Sequence, residues 1–246
     1  MSTADLHVIE YTALSDAELA SFKTKDGKVH LFNNFVCPFG HRALWAAAEV
    51  NVPFEIINID LGDMPASYVA DFNRYHTVPF LLDNGYAVYE SAIVAQFLDA
   101  KYNNGVIHNR DFPEHAALAQ LAQAKFEAGP FYALLRNKDP AKKAELEANL
   151  RDSLSEIETI YRDHAADFRS KGPYLLGDKF SSAELNIVTF LFRFKHILKH
   201  YRDFDILEGV PLLSAALEAS SQRPAFKKTT KEPEYYIQGY AKFANA

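Results

Sequence analysis

The sequence predicts a small mixed α/β domain followed by an all-helical domain, and three observations carry that reading. A strand, a helix and a second strand fit between Val29 and Asp60. Asn84-Gly85 sits between two further runs of β-formers, and Asn-Gly is a strong short-range hairpin signal. Beyond Gly105 the strand signals stop and helical periodicity takes over. The expected divisions are residues 1–28 as an N-terminal extension, 29–104 as the α/β domain and 105–246 as the helical domain.

Taken in order, Val29-His30-Leu31-Phe32 reads as the first strand. It leads through Asn33-Asn34-Phe35-Val36 to Cys37-Pro38. Proline suits the first helical position, where its missing N–H has no intrahelical role. Phe39 to Val50 reads as a helix with Leu44, Trp45 and Ala48 on one face, stopped by Asn51-Val52-Pro53. Phe54 to Asp60 is the second strand, and a βαβ unit of this length predicts a parallel pair. Gly62 to His76 is polar and partly helical. Thr77 to Asp83 is the third strand, with Pro79 near its start, and the hairpin returns the chain through Tyr86 to Tyr89. Ile93, Val94, Phe97 and Leu98 then mark an apolar helix face ending near Asn103-Asn104-Gly105. One parallel pair plus one hairpin on a mixed sheet is the thioredoxin-like arrangement.

In the second half, one helix is expected from Glu114 to Asn137 and another from Asp139-Pro140 to about Phe168, before the Gly172-Pro173 break. Ser181-Ser182-Ala183-Glu184 reads as a capping box, with the Ser181 hydroxyl on the amide of residue 184 and Glu184 reaching back. The helix it opens is nearly apolar through Phe194, which predicts burial. Further helices are expected around Leu212–Ser221 and Glu234–Phe243.

Composition narrows the function classes. At about 150 residues per domain, a length of 246 residues suits one large domain or two small ones. Lys+Arg 26 against Asp+Glu 32 gives a net charge of −6, which argues against a nucleic-acid binder built on a basic patch. The single cysteine, Cys37, excludes an internal disulfide and any cysteine-based zinc cluster, and suits a reducing compartment. Asp5, Glu10, Asp16, Glu18 and Asp26 fit neither a secretory nor a mitochondrial leader. No run of eighteen apolar residues predicts a transmembrane helix. The expectation is a soluble cytoplasmic protein.

The chemistry centres on Cys37, where a strand hands over to a helix. A helix start carries about half a positive charge and unsatisfied N–H groups. The amides of Phe39 and Gly40 can point at the sulfur, and His41 and Arg42 in the first turn add to the potential. Such settings favour the thiolate, the nucleophile of disulfide exchange. A buried structural cysteine is the competing reading. Three residues on stands Gly40 rather than a second cysteine, so a mixed disulfide must be cleared by an outside thiol. Pro79 after Val78 is a candidate cis-proline; the sequence leaves the isomer open, and a cis bond would free the Val78 backbone for an extended ligand. Glu90-Ser91 closes a strand and opens a helix. A hydroxyl with helix-start amides suits a carboxylate and Glu90 suits an ammonium, as in an α-amino-acid group; the alternative is Ser91 as a plain N-cap. His196 and His200, four apart among Arg193, Lys195 and Lys199, read as a basic helix end rather than a metal pair.

Three motifs in this order, Cys37-Pro-Phe-Gly-His-Arg, Thr77-Val-Pro-Phe-Leu and Tyr89-Glu-Ser-Ala-Ile, resemble the cytosolic glutathione transferase superfamily. The cysteine in Cys-Pro-Phe, where other classes have tyrosine or serine, is most similar to the omega class and its plant lambda and dehydroascorbate-reductase relatives. The resemblance covers about residues 29–226 and includes the Ser181–Glu184 box. It implies a glutathione-binding thioredoxin-like domain, an all-helical second domain, glutathione as co-substrate without a metal, and a homodimer. It also implies that Cys37 is the catalytic thiol of a thiol transferase or reductase, with a mixed-disulfide or dehydroascorbate substrate. Phe39, Val78, Pro79, Glu90 and Ser91 would bind glutathione, Val78 through its cysteinyl backbone and Glu90 and Ser91 through its γ-glutamyl group.

One position departs from the pattern. Omega-like members usually carry a lysine for the glycyl end of glutathione, where this chain has Met64 in Gly62-Asp63-Met64-Pro65. Another cation, a loosely held glycyl carboxylate, or a thiol modified there, such as a glutathione–polyamine conjugate, are the alternatives. Two other functional readings compete. A non-catalytic transferase-like binding module rarely needs a Cys-Pro-Phe site. A chloride-intracellular-channel-like protein shares that motif and enters membranes. The stretch that would insert here carries His30, Asn33, Asn34, His41, Arg42 and Glu49, and ionised groups at mid-bilayer cost about 2.5–3.5 kcal/mol each.

Overall fold

The structure is a computed structural model and describes residues 6–169 and 172–245. The chain forms two compact units. The first runs to Gly105 and takes back Pro224–Thr230; the second is Val106–Arg223 with the chain from Lys231 onward.

The first unit is built on a five-stranded sheet in the order β1-β3-β2-β4-β5. Its strands are β1 (Val8–Glu10), β2 (Val29–Asn33), β3 (Glu55–Asn58), β4 (Phe80–Asp83) and β5 (Tyr86–Tyr89). β2 and β3 pair parallel, as the βαβ spacing requires, with α2 (Pro38–Glu49) as the crossover. β4 pairs antiparallel with both β2 and β5. Asn84 (φ 52°) and Gly85 (φ 77°) both take positive φ in the turn between β4 and β5, which a type I′ hairpin demands. Residues 8–10, read from sequence as part of an extension, add a third parallel strand to the edge beside β3. α1 (Asp16–Phe22) follows, opened by a Ser15–Glu18 capping box.

Alternation along the strands divides the apolar residues between two faces. Phe32, Ile57, Phe80 and Leu82 join Tyr11, Phe22, Tyr68, Phe72 and Val78 in one cluster. Tyr68 belongs to α3 (Ala66–Asp71). Leu31, Ile56 and Leu81, one residue out of phase, are equally buried on the opposite face. α2 is buried almost all round from Gly40 to Ala47, and it packs against α4 (Ser91–Tyr102). The short helix α11 (Pro224–Thr229), absent from the sequence expectation, also lies on α2. Phe226 meets the rings of His41 and Trp45 at 4.9 and 4.8 Å.

The second unit is helical. The single helix expected over 114–137 is two, α5 (Pro113–Lys125) and α6 (Gly129–Arg136), broken at Phe126-Glu127-Ala128. α7 (Lys143–Thr159) ends in a π turn over Ile160–His164, so the helix expected to Phe168 is interrupted before α8 (Ala166–Arg169). α9 (Ser182–Arg202) is buried continuously from Ser182 to Leu191, as its apolar run predicts. The Ser181 side chain accepts from the Ala183 amide at 3.3 Å and the box with Glu184 is complete. The Glu184 carboxylate also accepts from Leu175 N and Tyr161 Oη, both at 2.8 Å. α10 (Pro211–Gln222), α12 (Pro233–Gly239) and α13 (Ala241–Asn245) complete the unit.

Candidate functional site

Cys37 is the N-cap of α2, with extended φ/ψ of −71° and 123°, and Pro38 occupies the first helical position. The Gly40 amide donates to the Cys37 sulfur at 3.3 Å, and the helix closes behind it through His41 N–H to the Cys37 carbonyl at 2.9 Å. The loop that delivers the sulfur is held by Asn34. Its Oδ1 accepts from Val36 N at 2.9 Å, its carbonyl accepts from Cys37 N at 3.1 Å, and its Nδ2 donates to the Ile59 carbonyl at 2.8 Å. The thiol is half-buried and in no disulfide. It borders the apolar cluster, as does Met64.

The Val78–Pro79 peptide bond is cis, which resolves the isomer the sequence left open. In its protonated form the Cys37 thiol donates to the Val78 carbonyl oxygen, with sulfur and oxygen 3.9 Å apart. The segment before it is fastened from α3 and the turn beyond. Tyr68 Oη donates to the Thr77 carbonyl at 2.8 Å, and the buried Asn73 amide donates to the same carbonyl at 2.9 Å. Burial raises the Tyr68 phenol well above its ordinary value, so it stays a donor.

Glu90 is the N-cap of α4 and is exposed, with φ 67°, a left-handed conformation uncommon for a side-chain-bearing residue. Ser91 is the first helical residue and is buried. The N-cap alternative for Ser91 therefore fails: Glu90 holds that position. The Ser91 oxygen instead accepts from Arg42 Nη1 at 2.8 Å. Arg42 is itself only 7% exposed. Burial pulls its guanidinium down to about 10, while the nearby Cys37 thiolate pushes it back up, so it remains a cation at neutral pH. Its guanidinium carbon sits 5.4 Å from the ring centroid of the exposed Phe39.

The geometry thus brings Cys37 beside Val78, and joins α2 to Ser91 through Arg42. His41, expected to add to the potential at the sulfur, directs its Nε2 to the end of α11. It is buried with Nε2 at 3.2 Å from Thr229 Oγ1 and 3.3 Å from Thr230 Oγ1. Asn34, Asn73 and Tyr68 escaped sequence reasoning, because each acts through a tertiary contact that no local pattern encodes. Among the described residues, no group of three or more His, Cys, Asp or Glu is placed to hold a metal ion. His196 is half-buried beside Phe192, and burial first, then Lys195, lowers its pKa. Among the same residues no helix is long and apolar enough to cross a membrane.

Comparison with known proteins adds the relationships. The family described as glutathione S-transferase, N-terminal domain, matches residues 36–101, and its C-terminal domain matches residues 120–229. The chain is similar to "Protein IN2-1 homolog A" of Oryza sativa subsp. japonica, at 29% identity over 86% of this chain and 84% of that one. It is 26% identical to "Probable glutathione S-transferase DHAR1, cytosolic" of the same organism, over 85% of this chain and 91% of the other. Its fold is similar to that in "Leishmania TDR1 - a unique trimeric glutathione transferase", with a TM-score of 0.79 and 25% identity over 87% of this chain. This chain spans about half of that protein, 47%.

Proposed function

Because this chain belongs to the glutathione S-transferase family, we propose that it works as a glutathione-dependent thiol transferase and reductase with Cys37 as the nucleophile. One observation carries this reading: a thiol at a helix start, accepting from the Gly40 amide at 3.3 Å. The positive end of a helix and an amide that donates to the sulfur both favour the thiolate over the thiol.

The proposed cycle uses one thiol. The Cys37 thiolate attacks the glutathionyl sulfur of a mixed disulfide R–S–S–G. A Cys37–S–S–G bond forms, the R–S bond breaks, and the leaving thiolate takes a proton from water. A second glutathione thiolate then attacks the glutathionyl sulfur, giving oxidised glutathione and the Cys37 thiolate. No other cysteine exists to resolve the intermediate. Phe39, Val78 and Pro79 would flank the cysteinyl part of glutathione, and Glu90 and Ser91 would hold its γ-glutamyl group. We propose dehydroascorbate as the second substrate class. A homodimer acting in the cytoplasm completes the proposal; sedimentation of the purified chain reads the assembly.

The test is a panel with reduced glutathione and a glutathionylated peptide, dehydroascorbate or a chloro-nitroaromatic. The proposal expects turnover of one of the first two, abolished by Cys37→Ser. Turnover of the chloro-nitroaromatic alone, unaffected by Cys37→Ser, would replace a reductase with a conjugating enzyme.

A further inference from the structure

We propose that Arg42 is a positioning residue that couples the two halves of the site, orienting the Ser91 hydroxyl as a donor toward a ligand carboxylate and supplying a buried cation on the helix that Cys37 caps. The inference rests on the thiol-transferase reading above and deepens it.

A serine hydroxyl has one proton and two lone pairs, and which way it points is ordinarily a matter of rotation. Here the choice is made by Arg42. Its Nη1–H enters a Ser91 lone pair at 2.8 Å, reaching from α2 to α4 across 49 residues of chain. A cationic donor on the oxygen polarises the O–H and strengthens it as a donor in turn. Among the described residues no acceptor takes the Ser91 proton, so it is available to a bound ligand. Ser91 also lies in the first turn of α4, where backbone amides favour an anion. An amino-acid carboxylate fits that pair of donors.

The same guanidinium serves the sulfur. Arg42 follows Cys37 by five residues on the helix that Cys37 caps. It is buried, so its charge is poorly screened. The thiolate raises the basicity of Arg42, and the interaction is mutual: a cation that the thiolate stabilises stabilises the thiolate. The Phe39 ring at 5.4 Å closes one side of the guanidinium. Charge and hydrogen bond are therefore separate contributions of one side chain, and substitution can separate them.

The experiment measures two quantities on wild type, Arg42→Lys, Arg42→Met and Ser91→Ala: the Cys37 titration, from thiolate absorbance against pH, and the affinity for reduced glutathione, by calorimetry. Arg42→Lys keeps the charge but lacks the planar fork that reaches Ser91. It should leave the thiolate titration in place and weaken glutathione about tenfold. Arg42→Met should shift the thiolate titration upward and weaken glutathione as well. Ser91→Ala should weaken glutathione alone. If Arg42→Met does not fold, the Arg42→Lys/Ser91→Ala double variant decides. It should bind glutathione no more weakly than either single variant, because both remove one linkage. Additive losses in affinity, or a folded Arg42→Met with an unchanged thiolate titration, would overturn the proposal. Wild-type protein that fails to bind glutathione would sink the broader functional reading instead, and the titration would still report on Arg42.

Discussion

The backbone amide of Gly40 donates to the sulfur of Cys37 at 3.3 Å. That bond, the positive end of α2 and the Arg42 cation all favour the charged form of the thiol. Cys37 should therefore alkylate with a midpoint well below the ~8.5 of free cysteine. The rate of iodoacetamide labelling against pH reads it. A midpoint at the free-thiol value contradicts this account of the site.

Gly40 also has no room for a side chain. A Cβ there would lie 2.9 Å from the Asn34 carbonyl oxygen and closer still to the buried Asn33 side chain. Gly40→Ala should destabilise the fold by about 1–3 kcal/mol, the usual range for overpacking. It should also disturb the amide that faces the sulfur. Denaturant unfolding and the labelling rate together check this; wild-type values in both would mean that the Asn33–Gly40 contact yields freely.

Ser91→Ala removes an acceptor that Arg42 uses and the donor proposed for the γ-glutamyl carboxylate. Hydrogen bonds to charged groups contribute about 1.5–3 kcal/mol, so glutathione affinity should fall tenfold or more. A lowered melting temperature with unchanged affinity would leave Ser91 as a partner of Arg42 only.

Much of this was legible in the sequence because it is local. The βαβ spacing, the Asn84-Gly85 turn and Cys37-Pro38 at a helix start each follow from a few adjacent residues. The missed elements are those that tertiary contact decides. β1 is three residues long and mostly exposed, with nothing periodic to mark it; its pairing with β3 makes it a strand. α11 is six residues long, and what fixes it is Phe226 against His41 and Trp45. At the site, Arg42 was visible only as a nearby charge. Its bond to Ser91 spans 49 residues, and no spacing rule reports such a pair. His41, one residue earlier, looked equivalent in the sequence and is turned to Thr229 and Thr230.

Glu184 gives the helical unit a pH dependence. Burial raises its carboxyl above the ordinary value, even though Leu175, Tyr161 and Ser181 hydrogen bonds act to lower it. The folded chain thus holds this proton to a higher pH than the unfolded chain. Between the two values the folded state binds more protons, so the stability contributed by Glu184 declines as pH rises from about 4.3 upward. Glu184→Gln should be less stable than wild type at low pH but show a flatter decline across that window. Urea midpoints over a pH series test this, and parallel wild-type and variant profiles would count against it.

The central claim is that Cys37 alone carries the glutathionyl group. Intact-protein mass spectrometry after treatment with oxidised glutathione tests it most directly. The account predicts a single glutathionyl adduct on the wild-type chain, removed by excess reduced glutathione, and none on Cys37→Ser, which also loses thiol-transfer activity. A Cys37→Ser protein that keeps full thiol-transfer activity, or a wild-type adduct that excess glutathione leaves in place, would contradict it.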